Sequence, residues 1–350
     1  MAAIEQELTD RYAIYNGDCC EVVKDLAEKS VGMVIYSPPF ADLYNYSSSE
    51  RDLSNCHDYK EFLYHFGYVV ELMSRVTKPG RINCVHCCDI PIPGQRKGYR
   101  DLPGDIIRLH QEHGFFYEGR IAIWKEPFRV AMRTRLQHLT HKNIAKDSAA
   151  CFPAGGDFVL LFKRHGENHE PIAHPHGLTH YAGATKVPDT FNIGTAENPT
   201  MVPASRFFNF KGHQSKNRLS HWIWRHYASC FWHDVRLDKV LPYKQAKGSE
   251  EEKHVCPLQL DVIERCLTLW SNPGDVVLTP FMGVGSEVYQ SLVMGRKAVG
   301  IELKESYFRQ ATKNVKLALT GETTTEATLG FETEPEDGED AMAESEQAHA

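Results

Sequence analysis

The sequence has no apolar run approaching the roughly 20 residues that a membrane-spanning helix needs. Its first residues, MAAIEQELTDRY, contain neither a basic segment nor an apolar leader. The expectation is a soluble, cytoplasmic protein with no membrane partner. No segment repeats along the chain, which excludes a solenoid. The 10 cysteines follow no regular framework, so they are read as reduced thiols. The two Cys/His clusters, CVHCCD (Cys84 to Asp89) and Cys230 with His233, are not part of a paired zinc-finger spacing, and no metal is expected. INCVHCCDI reads more simply as a core strand with small apolar thiols. From Gly321 onward there is no Lys or Arg against 10 Asp or Glu. That composition is expected of a disordered acidic tail over 321–350. The net charge of −7 hides its effect: without the tail, 39 basic residues face 36 acidic ones.

What remains is an ordinary globular composition, 42% hydrophobic and 24% charged over 350 residues. RYAIYNGDCCEVVKDL reads as strand, turn and helix, and SVGMVIYSPPF as a second strand ended by two prolines. In DYKEFLYHFGYVVELMSRVTKPG, residues Phe62, Phe66, Val69, Val70, Met73 and Val76 share one helical face, and Pro79-Gly80 stops the helix. RINCVHCCDI, DLPGDIIRLHQEHGF, YEGRIAIWK and GGDFVLLFKR continue as strand, helix, strand and strand. Strands alternating with helices predict an α/β domain. The pattern lapses after Arg164 and resumes near residue 251.

VVLTPFMGVGSEVYQSLVMGRKAVGIE is the most informative unit. A strand (Val276 to Leu278) runs into Phe281, Gly283 and Gly285, then a helix that Ser286 can cap and Gly295 can end. The next strand ends at Glu302, 17 residues after Gly285. An acid there suits the two ribose hydroxyls of a nucleoside cofactor. Val288 occupies the place of the third glycine of the dinucleotide fingerprint, which disfavours a pyrophosphate.

SPPF (Ser37 to Phe40) together with PFMGVGS (Pro280 to Ser286) and GIELKESYFRQA resembles the DNA amino-methyltransferases that use S-adenosylmethionine. Their catalytic motif is Ser/Asp/Asn-Pro-Pro-aromatic and their cofactor motif Phe-x-Gly-x-Gly. The catalytic motif comes first here, which is similar to the circularly permuted beta group. The resemblance covers about residues 12 to 318. It implies an α/β fold with a Rossmann-like class I methyltransferase sheet, mostly parallel, with helices on both faces and an inserted target-recognition region. The corresponding parts are 1–164 for the catalytic half, 165–250 for target recognition and 251–320 for the cofactor half. Ser37, Pro38, Pro39 and Phe40 would be catalytic, the Ser37 hydroxyl and Pro38 carbonyl accepting the amino hydrogens. Pro280, Phe281, Gly283, Gly285 and Ser286 would line the cofactor, Glu302 its ribose and Asp18 its adenine. KHVCPLQL, with His254 and Pro257, resembles the segment beside the methionine part. The chain has Thr279 where the family usually has Asp before Pro-Phe. Methylation at cytosine C5 would need a Pro-Cys dipeptide, and none occurs.

Double-stranded DNA is the expected partner. Between Met201 and Glu250 nine Lys or Arg face three acids, with aromatic residues interleaved. Arg206, Lys211, Lys216, Arg218 and Arg225 are candidate phosphate contacts, and Arg133, Arg135 and Lys142 come from a second basic stretch. Members of the resembled family with serine in this motif mostly act on cytosine N4 and those with aspartate on adenine N6, so the resemblance implies cytosine N4 as the methylated atom. The alternatives are adenine N6 and a DNA-binding relative weakened by Thr279, and a cognate restriction endonuclease is left open as a partner.

Overall fold

A nine-stranded sheet forms the centre of the computed structural model. The structure describes residues 3–41, 47, 49–92, 98–134, 139–207, 217–243, 246 and 257–320. In chain order come β1 (Glu5–Leu8), β2 (Tyr12–Asn16), α1 (Cys19–Lys24), β3 (Met33–Tyr36), α2 (Tyr59–Val76) and β4 (Ile82–Cys88). A small hairpin, β5 (Ile90–Pro91) with β6 (Tyr99–Arg100), precedes α3 (Leu102–Glu112) and β7 (Phe115–Ile123). Two short helices, α4 (Pro127–Thr134) and α5 (His141–Ile144), lead to β8 (Asp157–Arg164). A second hairpin, β9 (Thr190–Asn192) with β10 (Met201–Pro203), is followed by α6 (Arg218–Tyr227) and β11 (Phe231–Trp232). The remaining elements are α7 (Leu260–Trp270), β12 (Val276–Thr279), α8 (Ser286–Val293), β13 (Lys297–Glu302) and α9 (Glu305–Thr320).

The strands lie in the order β1-β2-β13-β12-β3-β4-β8-β7-β11. The five from β2 to β4 run parallel, and β8 is antiparallel to both β4 and β7. Parallel neighbours need crossovers, and helices supply them: α2 joins β3 to β4, and α8 joins β12 to β13. Alternation along β3 separates the two faces. Val34 and Tyr36 join the core formed with α1, α2 and α3, while Met33 and Ile35 join the one formed with α7. On α2, all six residues of the expected apolar face are buried, and Asp58 caps the helix by accepting from the N–H groups of Lys60 and Glu61.

The irregular middle of the chain has its own small core of Leu178, Phe191, Val202, Leu219, Ile223 and Tyr227. It is not detached from the sheet, because β11 pairs with β7 and Trp232 is buried in the core under α7. The Arg265 guanidinium fixes this join. It is fully buried, lies 5.1–5.4 Å from the rings of Tyr181, Tyr227 and Trp232, and donates to Asp234 Oδ1 at 2.8 Å. Tyr227 and Trp232, two of the aromatic residues interleaved with basic ones between Met201 and Glu250 and counted above toward a nucleic-acid composition, are therefore core residues.

A second buried pair ties the two ends of the chain together. Arg81, just before β4, donates to both oxygens of Asp275, just before β12, at 2.7 and 2.8 Å. Gly32 permits this, since a Cβ there would lie 2.8 Å from the Asp275 Cγ. Arg81 is fully buried and its other carboxylate neighbour, Glu170, is exposed and 3.6 Å away, so removing Asp275 leaves a poorly compensated buried charge. Asp275→Ala is expected to cost about 3–5 kcal/mol in chemical denaturation, the range for breaking a buried ion pair. A loss under about 1 kcal/mol would show that the pair contributes little.

Candidate functional site

The carboxyl ends of β2, β13, β12 and β3 surround one cavity of about 480 Å³. Its wall contains Ser37, Pro38, Pro39 and Phe40 after β3; Pro280, Phe281, Gly283 and Ser286 after β12; Glu302 at the end of β13; and Asp18 after β2. Pro257 lines it as well. β12 continues through α8 to β13 on one side and has β3 on the other, so the cavity sits where the strand order turns. Open α/β sheets bind ligands at such a point.

Gly283 has φ +55°, and a Cβ on it would meet nothing within 4 Å, so its bare Cα faces open space. Its N–H donates to Glu302 Oε2 and the Lys304 N–H donates to Oε1, both at 2.8 Å. The Asn16 side chain donates to the carbonyls of Glu302 and Leu303 at 2.9 and 3.0 Å, anchoring the end of β13 to β2. Asp18 caps α1 through the Cys20 N–H at 2.8 Å, and its other oxygen meets Arg51 Nη1 at 3.2 Å. The Phe281 ring is wedged 5.7 Å from Tyr36 and 6.4 Å from Phe66. Ser37 Oγ lies 3.2 Å from His86 Nδ1 and 3.1 Å from the His86 carbonyl oxygen. The hydroxyl hydrogen thus has acceptors behind it, and the oxygen keeps acceptor capacity toward the cavity.

Gly285 and Ser286 each depart in one respect from the expectation. Gly285 is not on the cavity wall; at φ +92° it is the N-cap of α8, and a Cβ would lie 3.2 Å from the Ala311 Cβ on α9. Glycine is needed there for helix packing. Ser286 lines the cavity but does not cap the helix; it is the first helical residue, and its buried hydroxyl has no hydrogen-bond partner among the described residues. Gly295, at φ +76°, does follow the end of α8. His254, Arg135, Lys211, Lys216 and the tail 321–350 lie outside the described residues, as does the side chain of Arg133 on α4. Lys142 is exposed on α5, Arg206 is exposed after β10, and Arg218 and Arg225 are exposed on α6.

Sequence reasoning passed over Glu287, the second residue of α8. It lines the cavity and is only 4% exposed. Its signal was plain in the string: an acid directly behind the glycine turn. Burial pushes its carboxyl up to about 8. Burial likewise pushes Glu302 up to about 7, against the two backbone N–H groups that favour its ionised form. Thr279 ends β12 and is not among the residues lining the cavity, and its buried hydroxyl has no partner among the described residues. A cationic ligand suits this wall, since it would stabilise carboxylates that burial alone disfavours. Of the described metal-type groups, Asp18, Cys19 and Cys20 bring their ligand atoms within 4.8 Å of one another, a grouping absent from the sequence expectation.

The raised carboxyls set a pH dependence. Unfolded, both glutamates titrate near 4.5; folded, they keep their protons to about 7 and 8. Between those values the folded state binds more protons, so stability falls as pH rises. The ligand-free protein is expected to lose unfolding free energy from about pH 5 to about pH 8. Glu287→Gln should flatten the slope. An unchanged slope in that variant would mean that Glu287 ionises freely in the fold.

The family model described as DNA methylase matches residues 31–313. The type II methyltransferase M1.MboII of Moraxella bovis is 22% identical over 309 residues, covering 85% of this chain and 94% of that protein. M.BamHI of Bacillus amyloliquefaciens is 23% identical over 296 residues, covering 84% of this chain but 55% of that protein, so the chain spans little more than half of its length. Among solved structures, TTHA0409 of Thermus thermophilus in complex with S-adenosyl-L-methionine shares the fold at a TM-score of 0.57 and 20% identity, over 89% of this chain and 97% of that one. With the matched family model taking in β3, the Ser37 segment, β12 and β13, the chain belongs to the N6/N4 DNA methylase family.

Proposed function

We propose that the chain transfers the methyl group of S-adenosylmethionine to an exocyclic amino nitrogen of a base in duplex DNA, with cytosine N4 as the favoured atom. The supporting observation is that the Ser37 segment and the Gly283–Glu302 cradle line the same cavity. Glu302 and the open space at Gly283 suit the ribose and methionine portions, and Asp18 suits the adenine. The cofactor supplies an electrophilic methyl on a positively charged sulfur, a charge matched by the acidic wall at Glu287 and Glu302.

An exocyclic amino nitrogen is a poor nucleophile because its lone pair is delocalised into the ring. Acceptors on its two hydrogens draw it toward a tetrahedral shape and aim the lone pair. The Ser37 oxygen and the Pro38 carbonyl are those acceptors, and consecutive prolines hold them rigid. Phe40 stacks on the base after it leaves the duplex, offsetting part of an unstacking cost of a few kcal/mol. Residues 165–250 are the target-recognition part, with Arg206, Arg218 and Arg225 toward phosphates and the exposed Trp224 and Phe231 as stacking surfaces. Lys142 adds a cation from α5.

Expression in a host lacking its own methylases, followed by mass spectrometry of the digested DNA, is expected to yield N4-methylcytosine. N6-methyladenine would overturn the choice of base and leave the chemistry standing. Ser37→Ala should slow turnover by ~10²–10³-fold, the scale for losing one preorganised hydrogen bond, and leave cofactor affinity unchanged. Calorimetry showing no S-adenosylmethionine binding by the wild type would favour the DNA-binding relative marked by Thr279.

A further inference from the structure

The chemistry above leaves one buried, hydrogen-bonded group beside Ser37 unused. Tyr36 pairs with Val85 in the parallel β3–β4 ladder, so Ser37 and His86, one residue further along each strand, come out side by side. His86 is 9% exposed. Its Nδ1 lies 3.2 Å from Ser37 Oγ, and its Nε2 lies 3.0 Å from Asp157 Oδ2. Lys125 Nζ is 2.8 Å from that same Asp157 oxygen. The antiparallel strands explain this convergence. Asp157 opens β8 opposite Cys88, which puts it diagonal to His86 on one face, and β7 ends opposite Asp157 just before Lys125.

A purely structural histidine looks different in this fold. His110 is fully buried, its Nδ1 bonds to the carbonyl of Ile106 within its own helix, its Nε2 lies 3.5 Å from the Tyr36 hydroxyl in the core, and its ring stacks 3.9 Å from Phe162. His86 instead spends both ring nitrogens on side chains, one of them Ser37. Burial would raise the Asp157 carboxyl, but Lys125 and His86 outweigh it and hold it well below the usual range. An ionised Asp157 takes the N–H of Nε2, and Nδ1 is left as an acceptor facing the Ser37 hydroxyl, beside the His86 carbonyl oxygen that lies 3.1 Å from the same Oγ.

We propose that His86 is a positioning residue that acts through Ser37, receiving the proton released at the amino nitrogen, with Asp157 and Lys125 fixing its tautomer. The proposal rests on the methyl-transfer reading of Ser37. The nitrogen lone pair forms the bond to the methyl carbon while the carbon–sulfur pair leaves with sulfur, which becomes neutral. The nitrogen, now cationic, gives its proton to Ser37 Oγ as the Ser37 hydrogen passes to His86 Nδ1. The products are a neutral methylamino base and an imidazolium, which returns its proton to water before the next turnover. Asp157 orients the ring and stabilises the imidazolium without itself taking the proton.

The test is a double-mutant cycle on the single-turnover rate of methyl transfer to duplex DNA from a methylation-free host, with S-adenosylmethionine affinity and Tm measured for every variant. His86→Gln is expected to slow the wild-type reaction on the order of 10²-fold without changing cofactor affinity. Combined with Ser37→Ala it should add less than about twofold, because residues acting as one unit are not additive. Asp157→Asn, which keeps the side-chain volume, should behave the same way and serves if His86→Gln fails to fold. Losses that multiply across the cycle, or a His86→Gln rate equal to wild type while Ser37→Ala is slow, would overturn the role of His86 and leave Ser37 in place. A normal rate in Ser37→Ala would overturn both readings.

Discussion

Parallel pairing of β3 with β12, Met33 opposite Val277 and Val34 opposite Leu278, is the constraint on which the site depends. The two strands come from opposite ends of the chain and carry different chemistry at their carboxyl ends. β3 runs into a stiff Ser-Pro-Pro segment, and β12 runs into a glycine turn. Parallel alignment makes both ends emerge at the same edge of the sheet, where an amino acceptor and a nucleoside cradle face one cavity. An antiparallel arrangement would send them to opposite edges. Arg81 and Asp275 sit at the entrance of β4 and β12, the two strands that flank β3, so a buried ion pair at one edge of the sheet helps hold the registration of a site at the other.

Charge is arranged with similar economy. The buried cations Arg81 and Arg265 are paired with carboxylates and join separate parts of the chain, the second through three aromatic rings. The carboxyls on the cavity wall differ, because burial raises Glu287 and Glu302 with no cation bonded to either among the described residues. Burial that disfavours the charged form of these acids suits the wall to a cation, and a positively charged cofactor recovers part of the desolvation that folding imposes. Gly283 lines the same cavity with a bare Cα, so a side chain there would project into open space on that wall.

Much of this was legible in the string, for identifiable reasons. The α2 face was readable because a long helix with one buried stripe repeats its apolar residues at a fixed period, and all six positions were found buried. The cavity residues after β3 and β12 were readable because prolines and glycines mark strand ends whatever the tertiary context. Where one residue type serves several purposes, the reading went astray. Gly285 met a backbone and packing need against Ala311, and Ser286 began the helix that it had been expected to cap. Tyr227 and Trp232 looked like base-stacking rings because composition cannot tell a stacking surface from a core. The Ser37–His86–Asp157–Lys125 line was invisible, since it exists only through the register of neighbouring strands, one of them antiparallel. His86 was hidden inside a run of cysteines that reads as ordinary core.

The most direct test of the central claim is a crystal structure of the protein with S-adenosylmethionine bound. The account predicts the ribose hydroxyls on Glu302, the methionine portion over Gly283, and the sulfonium methyl directed at the space between the Ser37 hydroxyl and the Pro38 carbonyl. A cofactor bound outside this cavity, or one whose methyl points away from Ser37, would contradict it.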